Sequence, residues 1–241
     1  TRKESSAASD VYKRQPLVSV SDPSLMAFIP RVVISPERDA LAELPTAEEI
    51  RASVFALSKD SASGPDGFNG VFFRCAWSII QEDFCLAVQS FFSGGSLPSG
   101  WTSTNLILIP KCENPRSCMD FRPISLCNFS NKVISKILAS CLAPFLERII
   151  SPSQAGFVKG RLITDNVLLA QERISQIDRK IRGSNVVFKL DMAKAYDRMS
   201  WFFIIKVLRA FGFPEPLIDL VWRLISNCWF SVLINGLANG Y

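Results

Sequence analysis

Apolar and polar positions alternate along this chain with two distinct periods, and the period changes several times. Helical spacing begins after Thr46, where Ile50, Val54 and Leu57 fall on one face. "TAEE" at its start is a capping box, because Thr46 and Glu49 can each satisfy the other's backbone amide. "SGPDGFNG" (Ser63–Gly70), with three glycines and a proline, predicts a turn. A second helical face follows through Phe73, Trp77, Ile80, Phe84, Val88 and Phe91, and "GGSLPSG" ends it. "NLILI" (Asn105–Ile109) predicts a short apolar strand closed by Pro110. Asn128 is placed to cap a helix carrying Val133, Ile137, Cys141 and Leu142, which Pro144 is expected to kink or shorten.

From about Asp165 the pattern predicts a helix with Val167, Ile174, Ile177 and Ile181 inward, ending at Gly183. "NVVFKLD" (Asn185–Asp191) then has the look of a buried strand with a carboxylate at its end. Ser200 or Asp197 can cap the helix "WFFIIKVLRAF", which Gly212 stops. "PEPLIDLVWRLISN" predicts a helix with proline at its start, and "CWFSVLING" a strand running into a turn. Helices first, then strand, helix, helix, strand: the order predicts an α+β fold. The first fifteen residues are polar and patternless, and residues 16–45 carry five prolines, so 1–35 are set apart as a leader, disordered or non-native.

Composition narrows the chemistry. The chain has 241 residues, 48% hydrophobic and 20% charged, a globular balance. A net charge of +5 permits a polyanionic partner without demonstrating one. The absence of histidine removes His-based triads and most catalytic zinc sites. The seven cysteines include no Cys-x-x-Cys pair, which argues for reduced thiols. Cys112, Cys118 and Cys127 are a poor zinc set for the same reason. The uncharged run Leu224–Tyr241 holds Asn, Ser and Gly and predicts a strand and turn rather than a membrane span. An intracellular place is expected.

Asp191 is the candidate for chemistry. An aspartate ending an apolar run either caps and salt-bridges, or holds a metal from a rigid strand end, as phosphoryl and nucleotidyl transfer require. Asp197 fits a helix cap, and Tyr196 could be core or could floor a pocket beside Asp191. Lys111 after "LILIP" and Arg122 in "DFRPISL" are solvated charges by default. Together on one lobe they would suit a triphosphate. "GFVKGR" (Gly156–Arg161) offers Lys159 and Arg161 between glycines that let backbone approach phosphate.

Six segments occur in one order: "SGPDGF", "NLILIPK", "DFRPISLCN", "SQAGFVKGR", "VFKLDMAKAYDRMSW" and "LINGLANGY". Over roughly residues 36–241 the chain resembles reverse transcriptases of non-LTR (LINE-type) retrotransposons, with a plant-like flavour. The resemblance implies a partial right-hand polymerase, with helical fingers over 36–150 and an incomplete palm sheet over 151–241. It implies that Asp191 is the first catalytic aspartate, and that the backbone carbonyl of Met192 is a further metal contact. Tyr196 would sit at the gate against a ribose 2′-hydroxyl. Lys111 and Arg122 would grip the incoming triphosphate, and Lys159 and Arg161 would follow the template–primer backbone. The implied cofactor is Mg²⁺ in the complete enzyme. The implied partners are an RNA template, a DNA primer and deoxynucleoside triphosphates, with no membrane, and the implied location is intracellular, the nucleus included. The family's paired aspartates of motif C are not in this sequence, which is expected to be a fragment cut before them and inactive by itself. An RNA-binding maturase-like module and a non-functional pseudogene remnant remain open as alternatives.

Overall fold

The computed structural model describes residues 26–177, 179, 185–192 and 199–240. Tyr196, Asp197, Ile181 and Gly183 lie outside these residues. Nine helices are described: α1 (Ser35–Ala40), α2 (Ala47–Ala56), α3 (Gly70–Cys75), α4 (Trp77–Phe92), α5 (Ser99–Thr102), α6 (Phe129–Ile149), α7 (Ile163–Ser175), α8 (Trp201–Phe211) and α9 (Glu215–Ser226). The strands are β1 (Ser103–Pro110), β2 (Phe121–Cys127), β3 (Trp229–Ile234) and β4 (Leu237–Gly240). They form one mixed sheet in the order β2-β1-β3-β4, with β1 parallel to β3 and the other pairs antiparallel. The fold is α+β.

Local signals place most helix ends. Thr46 caps α2 with its hydroxyl, which accepts from the Glu49 amide at 3.2 Å, while the Thr46 amide donates to Glu49 Oε2 at 2.8 Å. Ser200 caps α8, accepting from the Phe203 amide. Gly212 ends that helix at φ 93°, a left-handed position that suits glycine. Asn235 and Gly236, at φ 51° and 80°, make the two-residue turn between β3 and β4.

The chain divides into two compact units. One comprises the described residues up to Cys141 and from Ser200 onward; the other is Leu142–Met199. In the first, the apolar face read from the sequence is buried as an aromatic core. Phe73 stacks on Phe129 at 4.8 Å between ring centroids, Phe84 stacks on Trp101 at 5.4 Å, and Trp77 meets Phe84 edge-on. Ile50, Val54, Val88 and Phe129 are fully enclosed around them. The single helix expected through Phe73 to Phe91 is two, because the chain breaks at Ala76 (φ −86°, ψ 1°).

Asn128 does not cap α6 with its side chain as expected. It is buried, and its Oδ1 accepts from the Asp66 amide while its Nδ2 donates to the Gly100 carbonyl. It pins the glycine turn instead. A Cβ on Gly64 would lie 2.5 Å from the Asn128 nitrogen and 2.6 Å from the Cys127 carbonyl carbon, so only glycine lets the turn come this close. Lys132 holds the same turn from the next rung, donating to the Ala62 carbonyl at 2.6 Å. Pro144 does not shorten α6, which runs on to Ile149.

In the second unit, Phe145, Ala155 and Val158 are buried. Helix α7 starts two residues before the expected Asp165 and ends at Ser175. Its apolar face is exposed: Val167, Leu168, Leu169 and Ile174 are each half or more open to solvent. The strand expected over 185–191 is not formed: these residues have no regular structure, and Val186, Val187, Phe188 and Leu190 are exposed. A buried strand needs a hydrogen-bonded neighbour and covered faces. Among the described residues the sheet gives this segment neither.

Candidate functional site

The segment "DFRPISLC", which the hydrophobic pattern left unassigned, forms β2 and lies at the edge of the sheet. Pro123 lacks an amide proton and would break a central strand, whereas an edge strand tolerates it. Strand β3 accompanies β1 only from Ser103 to Leu106. Beyond that, among the described residues Ile107–Pro110 pairs with β2 alone, so the distal half of the hairpin is a two-stranded ribbon. Its base is anchored, Thr104 being buried opposite Cys127. Its far end is open, with Leu108, Ile109 and Ile124 exposed.

Lys111 and Arg122 both stand on this ribbon. Arg122 is directly opposite Ile109, and the Lys111 amide donates to the Asp120 carbonyl at 2.7 Å, one rung further out. Positions 109 and 111 share a face of β1, and 120 and 122 share the matching face of β2. The register therefore puts both cations on one side of the ribbon, as diagonal neighbours. Both are solvent-exposed. The Lys111 ammonium donates to the Met119 carbonyl at 2.7 Å, which keeps it against the turn.

The turn itself is organised by Asp120, a residue the sequence reading did not single out. Its Oδ2 accepts from the amides of Arg116 and Ser117, both at 2.9 Å, and from the Ser117 hydroxyl at 3.2 Å. Those two amides, joined by the Ser117 hydroxyl and the charge of Lys111, hold its carboxyl below the usual carboxylate range. The Ser117–Asp120 spacing was a readable signal, since it is that of a capping box around the one-turn helix Cys118–Asp120.

The other candidates lie in the second unit. Lys159 is exposed on a turn between Phe157 (φ 62°) and Gly160 (φ 82°). The Arg161 guanidinium is largely committed. It donates to the carbonyls of Ile150 at 3.1 Å, Ser151 at 2.5 Å and Gln154 at 2.7 Å, tying down the chain just past α6. Asp191 and Met192 are exposed and lie in no helix or strand.

One aspartate carboxylate and a neighbouring carbonyl are hard oxygen donors of the right kind for a divalent cation, but too few. Among the described residues no three His, Cys, Asp or Glu side chains gather where a metal could bind, and Cys112, Cys118 and Cys127 form no zinc set. The described residues thus do not fit a two-metal centre. Among them, too, no helix is long and apolar enough to cross a membrane.

Residues 109–240, more than half of the chain, match the family model "Reverse transcriptase (RNA-dependent DNA polymerase)", and the match begins in the distal ribbon. The chain belongs to this reverse transcriptase family, and its mixed sheet and helices are consistent with part of that polymerase fold. Its relatives include proteins of non-LTR retrotransposons. It is 28% identical over 204 residues to the "Transposon TX1 uncharacterized 149 kDa protein" of Xenopus laevis, covering 84% of this chain and 16% of that one. It is 29% identical over 176 residues to the Pol polyprotein from type-2 retrotransposable element R2DM of Drosophila melanogaster, covering 73% of this chain and 16% of that one. A Pol polyprotein from type-1 retrotransposable element R2 of Popillia japonica is 32% identical over 189 residues, 78% of this chain and 25% of that one. The chain thus spans a quarter or less of the length of these relatives.

Proposed function

We propose that this chain is the part of a retrotransposon RNA-directed DNA polymerase that grips the incoming deoxynucleoside triphosphate, with Lys111 and Arg122 as the gripping pair. One observation carries the reading: the hairpin register, continued by the Lys111–Asp120 bond, makes a lysine and an arginine diagonal neighbours on a solvent-exposed ribbon. An ammonium gives a compact charge and a guanidinium a fork of donors, and phosphate oxygens accept both well. RNA template and DNA primer belong to the same proposal, with Lys159 as a backbone contact and Arg161 as the brace of the loop that carries it. So do the aspartate role of Asp191, the Met192 carbonyl, Mg²⁺ in the complete enzyme, the gate role of Tyr196 and an intracellular, nuclear-accessible location. The sequence holds no adjacent pair of aspartates. One carboxylate does not hold two hard cations about 4 Å apart, so this chain alone is expected to extend no primer.

The decisive experiment is a titration of residues 1–241 with inorganic triphosphate at low ionic strength, followed by amide chemical shifts. Lys111→Ala and Arg122→Ala should each weaken binding by about tenfold, the loss of one charge-assisted contact. Unchanged binding in both variants rejects the gripping pair. Filter binding of an RNA–DNA primer–template across a salt series addresses the second contact surface. Affinity should fall steeply with salt and drop further in Lys159→Ala. A salt-independent affinity rejects a phosphate-backbone contact.

A further inference from the structure

The ribbon that carries Lys111 and Arg122 poses a mechanical problem. A two-stranded hairpin is marginal in water without a third strand or a buried face. Beyond Leu106 this one has no third strand among the described residues, and its side chains at Leu108, Ile109 and Ile124 are exposed. A pair of cations on a fraying ribbon would not keep a fixed separation.

Asp120 answers the problem. It closes the ribbon twice, with different groups. Its carbonyl takes the Lys111 amide, which adds a rung beyond Pro110. Its carboxylate gathers the Arg116 and Ser117 amides and the Ser117 hydroxyl on one oxygen, which fixes the turn linking the strands. The Met119 carbonyl, held in the one-turn helix that this network caps, receives the Lys111 ammonium. From Asp120 the network reaches Lys111 in one step, and Arg122 is two residues further along the same strand face.

We propose that Asp120 is a positioning residue for the Lys111–Arg122 pair, setting their spacing for a triphosphate by fixing the turn that joins their strands. The inference rests on the triphosphate reading given above. It also runs against simple electrostatics, which makes it testable. A carboxylate beside two cations opposes anion binding through space, so deleting its charge should tighten triphosphate binding. If Asp120 acts by position, removing it should weaken binding instead.

The experiment uses the full 241-residue chain, inorganic triphosphate as the probe, and amide exchange at Arg116 and Ser117 as a second readout. Asp120→Ala should bind at least about threefold more weakly and expose both amides to fast exchange. Asp120→Asn keeps an acceptor oxygen at the same reach and should restore binding to the wild-type level or tighter. Asp120→Gln has the same charge and chemistry one methylene longer, and should bind more weakly than Asp120→Asn. That pair decides the matter even if the alanine variant loses the fold. Equal binding by the Asn and Gln variants, or tighter binding by Asp120→Ala, overturns the positioning role. Lys111→Ala in the same titration separates the two failures. If it does not weaken binding, the triphosphate reading fails. If it does while Asp120→Ala binds as wild type, only the role of Asp120 fails.

Discussion

Phe129 and Phe188 carry the same side chain in similarly apolar stretches, and they meet opposite fates. Phe129 is fully buried in the first unit, stacked on Phe73 of α3. Phe188 is 83% exposed in the second, on a segment with no regular structure. An apolar run expresses a demand for burial and does not supply the surface that meets it. In the first unit the face carrying Phe73, Trp77, Phe84, Val88 and Phe91 is buried, although the distal ribbon is not. In the second, the faces of α7 and of residues 185–190 are exposed.

The sharpest way to break this comparison is to truncate both rings. Phe129→Ala should cost about 3–5 kcal/mol, the usual range for an emptied aromatic site. Phe188→Ala should stay within about 0.5 kcal/mol, as exposed substitutions do. Chemical denaturation of both variants checks this, and comparable losses would mean that Phe188 has a buried partner in solution. Next in size is the glycine turn. Gly64→Ala forces a Cβ against the Asn128 backbone, and Asn128→Ala strands the Asp66 amide and the Gly100 carbonyl. Each should cost about 1–3 kcal/mol. Hydrogen exchange sharpens the contrast without mutation: amides of Val186–Leu190 should exchange nearly unprotected, while those of Thr104–Leu106, on a strand paired on both sides, should be slow.

The smallest effect is expected from the ion pair between Arg209 and Glu215, joined at 2.7 and 2.8 Å but with both side chains more than half exposed. Its hydrogen bonds to Arg209 lower the Glu215 carboxyl below its ordinary range. That stability is therefore present above the unfolded glutamate's pKa and is lost as pH falls through the lower folded value. Solvent screening keeps it to about 0.5 kcal/mol or less, so Glu215→Gln should barely shift a denaturation midpoint at neutral pH.

What was legible in the sequence follows from range. Thr46, Ser200, Gly212 and the Asn235–Gly236 turn act over a few residues, and each sits where local chemistry placed it. The side chain of Asn128 reached across 62 residues to the glycine turn, which no local rule contains. Strand β2 was missed because Pro123 counts against a strand unless the strand is known to lie at an edge, a property of the assembled sheet. The pairing of β1 with β3 joins segments over 120 residues apart in the same way. At the candidate site, Lys111 and Arg122 were readable as residue types, and their common face emerged only with the register. The expected Asp191 strand failed for the converse reason: its pattern was legible, but pairing is not a property of one segment.

Pro123 has a further effect at the outer edge of the sheet. Where β2 turns its free side to solvent, the proline has no proton to offer, so an incoming strand would find a missing tooth there. The opposite margin, β4, contains no proline along Leu237–Gly240. Among the described residues the sheet thus has unlike margins: a lateral strand meets a missing donor beside the ribbon that bears Lys111 and Arg122, and no such gap along β4.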